Sequence, residues 1–293
     1  MGHVITFLNM KGGVGKTTLC KEIGYYLASR GERVLLIDVD PQANLTQSIF
    51  KKYKYKHTYE RKSDENKNFQ VCKASINMVF NHSYIEKTAK ENAILDLSEK
   101  LSIIPGDLNT VFLERTLGGS DKEQALKNFI EDFNLTEDYK YILLDCPPTY
   151  SFYTTAALLA SDFYVSPIHP DSYSVLGLDL LFEAIEKLKS VHRERFKYRP
   201  ISQIGVIFSN IARTPSTGVQ NFIDEILTSD ELKEKEIYFF VNHFVKNPHI
   251  PKDAGYFIVD GENGTSRMNI EVIVEEFEER IVQLCPQDTV NQI

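Results

Sequence analysis

The sequence has 293 residues, of which 42% are hydrophobic and 25% are charged, and its formal net charge at pH 7 is −8. This composition is typical of a soluble globular protein, and no stretch approaches the roughly 20 consecutive apolar residues of a membrane helix. The negative net charge does not favour nucleic-acid binding, although a local basic patch can still contact phosphates.

The cysteines and the N-terminus indicate a reducing compartment. The cysteines Cys20, Cys72, Cys146 and Cys285 are scattered and form no Cys-x-x-Cys pair. This argues against a zinc or iron–sulfur site built within one chain. The first residues, MGHVITFLNM, read as a buried strand and not as a secretion signal. We therefore expect a cytoplasmic protein.

Short apolar runs alternate with amphipathic stretches along the chain. Because these runs are apolar on both faces, they predict strands of a parallel sheet that is covered by helices. The alternation predicts an α/β fold with a doubly wound sheet, and the lack of repeats and linkers predicts a single domain over residues 1–293. The predicted strands are 4–9, 33–38, 101–105, 140–145, 162–168, 204–209 and 237–241, and the predicted helices are 17–30, 175–191, 218–227 and 269–284.

The segment LNMKGGVGKTTLC (8–20) lies between the first predicted strand and the first predicted helix. Its glycines allow a tight turn with amide groups that point at phosphate oxygens, and the helix N-terminus adds further donors. Lys16 supplies a charge for the β- and γ-phosphates, and Thr17 supplies a hydroxyl for Mg²⁺. The pattern predicts a P-loop at 10–18 that binds ATP and Mg²⁺, although position 10 is Met and not Gly. The predicted phosphate-binding residues are Gly12, Gly13, Val14, Gly15, Lys16, Thr17 and Thr18.

Two aspartates follow the second predicted strand. Asp38 ends this strand, and Asp40 lies two residues later, on the same side of an extended chain. Ligands of open α/β sheets bind at the carboxyl ends of strands, so both carboxylates can face the phosphate site. Alternatively, Asp40 only caps the following helix, as Asn44 or Thr46 can also do.

Residues 51–70 interrupt the pattern. The stretch is polar, rich in Lys, Tyr and Asn, and without periodicity. It predicts a solvated loop or insertion, or alternatively a contact surface for DNA or a partner protein. Its basic residues are Lys51, Lys52, Lys54, Lys56, Arg61, Lys62 and Lys67.

The run YILLDCPPTY (141–150) ends a further strand at an acidic residue. Asp145 follows four apolar residues, so its carboxylate emerges beside the P-loop and can hold Mg²⁺ through water. Cys146 is expected to be a small buried residue, since no histidine is available to activate it as a nucleophile.

The P-loop residues carry a resemblance to a known family. Lys11 to Thr17 spell K-G-G-x-G-K-T, which resembles the deviant Walker A motif of the ParA/MinD superfamily of ATPases. The segments 35–46 and 141–158 resemble the Walker A′ and Walker B elements of ParA-type proteins. The resemblance implies a P-loop NTPase fold, with a mostly parallel sheet flanked by helices, and a Mg²⁺-dependent ATPase.

The resemblance also implies roles for individual residues. Lys11 reaches across a dimer interface to the nucleotide of the partner, and Asp40 positions or activates the attacking water. Asp38 assists in the metal and phosphate shell. The implied catalytic residues are therefore Lys11, Lys16, Asp40 and Asp145, and the implied metal ligands are Thr17, Asp38 and Asp145.

Matches in the second half of the chain are weaker. Asn210, at a predicted strand end, occupies the place where relatives contact adenine. Arg213 matches an arginine on the DNA-binding surface of chromosomal ParA proteins, and Lys246 lies in a segment that aligns loosely with a basic one. Either cation can also be an exposed charge without a role. His243 and His249 have no metal-ligand partners in the pattern.

The resemblance implies that an ATP-bound homodimer binds DNA nonspecifically and is nucleoid-associated, and that a ParB-type partner stimulates hydrolysis and release. Alternatives are a MinD-like regulator at the membrane, an ATPase that positions protein assemblies, and a slowly hydrolysing ATP-gated scaffold. The acidic stretch 270–285 disfavours lipid binding. The chain opens on its first strand, so we expect no N-terminal helix-turn-helix region.

Overall fold

The computed structural model describes residues 1–58, 68–81, 88–110, 120–171 and 173–285. Within these ranges the strands alternate with helices along most of the chain. The strands are His3–Phe7 (β1), Val34–Asp38 (β2), Tyr55–His57 (β3), Gln70–Cys72 (β4), Leu95–Asp96 (β5), Leu101–Ile104 (β6), Tyr141–Asp145 (β7), Phe163–Ile168 (β8), Ser202–Ile211 (β9) and Phe244–Val245 (β10).

Helices occupy most of the connections between strands. The longest are the helix that follows the P-loop, a helix after β8 and the last helix of the described chain. The helices are Lys16–Ser29 (α1), Asn44–Tyr53 (α2), Asn77–Asn81 (α3), Thr88–Ala93 (α4), Ser120–Glu123 (α5), Ala125–Asp132 (α6), Leu135–Asp138 (α7), Phe152–Ala160 (α8), Ser174–Val191 (α9), Arg193–Tyr198 (α10), Thr217–Thr228 (α11), Asp230–Glu234 (α12) and Gly264–Leu284 (α13).

The described strands form an eight-stranded sheet in the order β10-β9-β8-β1-β7-β2-β6-β5. All neighbouring strands are parallel except β5 and β6, which pair antiparallel. In this order β1 lies between β7 and β8, whereas β2, the next strand along the chain, lies on the far side of β7. The connections on the two sides of β1 therefore run in opposite directions along the sheet. Such a reversal opens a crevice at the carboxyl edge of the sheet, where ligands of this fold class bind.

Both faces of the sheet are covered, which confirms the predicted α/β fold. Ile142 and Leu144 of β7 face one core with α6, α8 and α9, whereas Tyr141 and Leu143 face the other core with α1 and α13. Strand side chains alternate between faces, so a strand that is buried on both must be apolar throughout. This is the reason that the central strands were recognisable in the sequence.

The predicted loop at 51–70 is wrong at its ends. Helix α2 continues to Tyr53, and β3 and β4 pair parallel as a separate two-stranded sheet. The ring of Phe50 lies 6.0 Å from that of Tyr55 and 4.7 Å from that of His57, so a buried aromatic group orders this polar stretch. Residues 59–67, with Arg61, Lys62 and Lys67, lie outside the described part of the chain.

The predicted strand at 237–241 is also wrong, because only an isolated bridge between Val206 and Phe239 forms there. The buried carboxylate of Glu276 on α13 accepts hydrogen bonds from the backbone N–H groups of Val241 (2.7 Å) and Asn242 (3.1 Å). These donors are therefore not available for a strand ladder.

Among the described helices, none combines the length and the apolar composition that crossing a bilayer requires.

Candidate functional site

The loop between β1 and α1 has the backbone conformation of a phosphate-binding turn. Gly13 (φ 75°) and Gly15 (φ 88°) lie in the left-handed region, which favours glycine. A Cβ atom at Gly15 would lie 3.3 Å from Oγ of Ser209, and this hydroxyl donates a hydrogen bond to the carbonyl oxygen of Val14. The loop is therefore fastened to the end of β9. The backbone conformation favours glycine at both positions, and at Gly15 the space beside Ser209 favours it as well.

A residue that the sequence analysis missed supports the start of the loop. Asn9 is buried, donates from Nδ2 to the carbonyl oxygen of Pro167 (2.8 Å), and accepts at Oδ1 from the backbone N–H of Lys11 (2.8 Å). It thus joins the P-loop to the end of β8. A polar residue two positions after a buried strand was the available signal.

Lys11 forms an ion pair with Asp171 of the same chain. Its ammonium lies 6.0 Å from the centre of the Tyr173 ring, and both side chains of the ion pair are about 30% exposed (29% and 31%). Asp171 was not singled out in the sequence, since only the fold brings it next to the loop. The role of Lys11 across a dimer interface remains a prediction.

Lys16 lies under the loop, 6% exposed, and donates from Nζ to the carbonyl oxygen of Lys11 (3.0 Å). Burial lowers the pKa of Lys16, and Asp145 is the largest of the charges that oppose this shift. The lysine therefore sits where it can contact phosphate oxygens while it faces an acidic neighbour.

The two acidic strand ends are adjacent. Asp38 of β2 is the register partner of Asp145 of β7, and both side chains are fully buried. Oδ2 of Asp38 accepts hydrogen bonds from Thr46 N (2.8 Å) and Thr46 Oγ1 (2.6 Å), and Thr46 Oγ1 in turn accepts from Gly106 N (2.8 Å). Both oxygens of Asp145 and Oδ1 of Asp38 have no hydrogen-bond partner of standard geometry.

Burial raises the pKa of Asp145 well above its ordinary value, and the neighbouring Asp38 raises it further, whereas Thr17 and Lys16 oppose the shift. Burial likewise raises the pKa of Asp38 to about 7. Unpartnered carboxylate oxygens beside a threonine hydroxyl fit a hard cation, since Mg²⁺ prefers oxygen ligands and usually keeps waters or phosphates as well. Thr17 and Asp145 would hold such an ion, and the role of Asp38 as a further metal ligand stays a prediction.

Asp40 faces the same cleft and is 7% exposed. Its Oδ1 accepts from the backbone N–H of Gln42 (2.9 Å), and burial raises its pKa while Lys16 lowers it. The alternative that Asp40 caps α2 is not observed, because Ala43 is the N-cap and no side chain bonds there. Asp40 therefore remains available to the cleft.

The cleft beside the P-loop has a volume of about 530 Å³. Its lining includes Asn210, the penultimate residue of β9, which lies in the left-handed region (φ 58°). Lys246 also lines the cleft, so the cation that was predicted to contact DNA lies next to the phosphate site. Arg213 is exposed and does not line the cleft. The fold thus brings Asn210 and Lys246 to the P-loop, but not Arg213.

Cys146 is fully buried, as expected, and burial raises the pKa of its thiol well above the ordinary value. It therefore does not act as a thiolate in this site.

Relatives of this chain include proteins that are named for chromosome partitioning. The chain is 32% identical over 186 residues to the sporulation initiation inhibitor protein Soj of Bacillus subtilis. This alignment covers 63% of this chain and 65% of that protein. It is 28% identical over 200 residues to the chromosome partitioning protein ParA of Caulobacter vibrioides, covering 68% of each. These alignments span about two thirds of each relative's own length.

Solved structures show the same fold. A plasmid partition protein of Borrelia burgdorferi bound to AMPPNP has a TM-score of 0.68 at 20% identity, and the match covers 96% of this chain and 98% of that one. A family described as AAA domain matches residues 2–198. The chain therefore belongs to this AAA-domain family and, as its Walker motifs and the Soj and ParA relatives indicate together, to the ParA/MinD superfamily.

Proposed function

We propose that this protein is a Mg²⁺-dependent ATPase of the DNA-partition type. The observation that carries the proposal is the buried pair of Asp38 and Asp145, whose unpartnered oxygens lie beside Lys16 and Thr17 at the phosphate loop. A buried pair of carboxylates is costly, and a bound divalent cation with a triphosphate offsets that cost.

The site supports hydrolysis in a direct way. The amide groups of the glycine loop and Lys16 would bind the β- and γ-phosphates, and Thr17 with Asp145 would hold Mg²⁺, which would supply positive charge to the phosphates. Asp40 lines the cleft with a buried carboxylate and positions the attacking water. Asn210, which also lines the cleft, contacts the base. Protein groups that are already oriented lower the barrier because little reorganisation is needed during the reaction.

We propose that two ATP-bound chains associate through their nucleotide faces, with Lys11 released from Asp171 to reach the partner's phosphates. The dimer binds DNA through Arg213, whereas Lys246 lines the nucleotide cleft, and a ParB-type protein stimulates hydrolysis and release. Charge-assisted hydrogen bonds of about 1.5–3 kcal/mol each are enough to make the association depend on the γ-phosphate. We further propose that residues 1–293 act as one domain.

Nucleotide-dependent DNA binding by the purified protein tests this proposal. Retention of nonspecific DNA is expected with Mg²⁺ and ATP, and it should be lost with ADP and with Lys16→Ala. Arg213→Ala should weaken DNA binding at unchanged ATP affinity, and salt should weaken it further through counterion release. Gln220→Ala, on the exposed side of α11, is the matched control. DNA binding that ignores the nucleotide contradicts the partition function.

A second candidate, ATP-dependent positioning of a protein assembly, is favoured by an apolar strip beside the site. Tyr173, Leu176 and Leu180 at the start of α9 are 69%, 56% and 48% exposed. Exposed apolar groups at this spacing share one helix face and are typical of protein contacts. ATP-stimulated capture of a partner protein, without any DNA retention, would favour this candidate over DNA partition.

A further inference from the structure

We propose that Lys21 and Glu22 of α1 are positioning residues for the nucleoside half of the cleft, an inference that rests on the proposed ATP site. The cleft beside the P-loop is also lined by Lys246, Asn247, Ile250 and Pro251, here called the nucleoside wall. The helix that begins at Lys16 also fastens this wall.

Lys21 and Glu22 form a buried ion pair. Their side chains are 4% and 0% exposed, and Nζ of Lys21 lies 3.1 Å from Oε1 of Glu22. Removing two charges from water costs several kcal/mol per ion, and their mutual attraction offsets this only when further hydrogen bonds complete the geometry. The remaining partners of the pair therefore indicate what it does.

Those partners lie in one segment, residues 256–258. Nζ of Lys21 donates to the carbonyl oxygen of Tyr256 (2.7 Å) and lies 4.3 Å from the centre of the Phe257 ring. Oε2 of Glu22 accepts from the backbone N–H of Ile258 (2.9 Å). The pair thus binds the main chain on both sides of a buried phenylalanine and fixes this segment to α1.

The fixed segment holds the nucleoside wall. The ring of Tyr256 stacks on that of His249 with 5.3 Å between centres, and its hydroxyl lies 3.5 Å from Nδ2 of Asn247. Oδ1 of Asn247 accepts from the backbone N–H of His249 (2.9 Å), and Asn247 is 5% exposed. A further hydrogen bond to this part of the chain comes from α2, where the hydroxyl of Ser48 donates to the carbonyl oxygen of Ala254.

One rigid helix therefore sets the distance between the phosphate and nucleoside halves of the site. Lys16 at its first turn belongs to the phosphate half, and Lys21 lies about 7.5 Å further along the axis at 1.5 Å per residue. Loss of the ion pair between Lys21 and Glu22 should leave the phosphate half intact, while the nucleoside wall loses its fixed position. Affinity should then fall for ATP but not for a triphosphate without a nucleoside.

Calorimetry of Lys21→Met with Mg²⁺–ATP and with Mg²⁺–tripolyphosphate separates the two halves. We expect the Kd for ATP to rise about tenfold and the Kd for tripolyphosphate to stay within about twofold. In turnover, KM for ATP should rise while kcat stays within about twofold. The control Lys140→Met breaks a surface pair with Glu32 (2.6 Å) at the opposite end of the sheet and should change neither ligand.

Tyr256→Leu serves as a second variant, because Tyr256 is partly exposed and its loss leaves the ion pair in place. It should show the same selective loss of ATP affinity even if Lys21→Met does not fold. Equal weakening for both ligands, or unchanged ATP affinity in a folded variant, overturns the inference. If the unmodified protein binds tripolyphosphate no more weakly than ATP, the nucleoside wall is not a binding element. If it binds neither ligand, the proposed function fails together with the inference.

Discussion

Replacement of Asp38 by asparagine tests whether the buried carboxylates serve a cation at the expense of stability. Asp38 is fully buried, its Oδ2 accepts two hydrogen bonds from Thr46, and its Oδ1 has no partner. An asparagine side chain has nearly the same shape, and its amide oxygen can accept both bonds. Asp38→Asn therefore removes the charge and leaves the packing almost unchanged.

The size of the effect follows from the pKa. Burial raises the pKa of Asp38 from 3.8 to about 7, while the bonds from Thr46 oppose this shift. The folded state thus binds this proton more tightly than the unfolded chain, so the associated stability is present in full below about pH 4 and is lost as the pH rises to about 7. Three pKa units correspond to on the order of 4 kcal/mol. An amide N–H group without a partner costs about 1–3 kcal/mol, which leaves Asp38→Asn more stable by about 1–3 kcal/mol at pH 8.

Urea unfolding in EDTA at pH 5 and pH 8 measures this difference. We expect the free energy of unfolding of Asp38→Asn to exceed that of the unmodified protein, and this difference should be larger at pH 8 than at pH 5. Mg²⁺–ATP should stabilise the unmodified protein more than the variant. Asp132→Asn is the control, because Asp132 lies exposed on α6. A variant that is less stable at pH 8, or one with the same difference at both pH values, refutes the reasoning.

Three further predictions concern the phosphate loop and its partners. Gly15→Ala should lose Mg²⁺–ATP binding in calorimetry and about 1–2 kcal/mol of stability, because its φ is 88° and a Cβ would lie 3.3 Å from Ser209 Oγ. Gly31→Ala (φ 94°), with no atom within 4 Å of its Cβ, should lose similar stability and bind ATP normally. Lys11→Ala should bind ATP but remain monomeric in light scattering, and ATP-induced dimers of this variant would contradict its assignment. Asp40→Ala should bind ATP and hydrolyse it at least about 100-fold more slowly, whereas unchanged turnover would remove Asp40 from the reaction.

Much of the fold and part of the site were predictable from the sequence, because they depend on local pattern. Strands such as β2 and β7 are buried on both faces, which requires unbroken apolar runs. These runs end at Asp38 and Asp145, the last residues of the two strands, which lie at the carboxyl edge of the sheet. The glycines of the loop follow from backbone sterics, which act between neighbours in the chain. Periodicity and spacing contain this information without any reference to distant residues.

The remainder was decided by contacts between residues that are far apart in the chain. Asp171 reaches Lys11, and Lys21 reaches Tyr256, only because the strand order places their elements side by side. The same holds for Glu276, whose carboxylate takes the backbone donors of a segment that reads as a strand. A sequence pattern reports which face of an element is apolar, but not which distant partner satisfies a buried polar group. That choice depends on the geometry of the whole packed chain, since every buried donor and acceptor must find its partner at once.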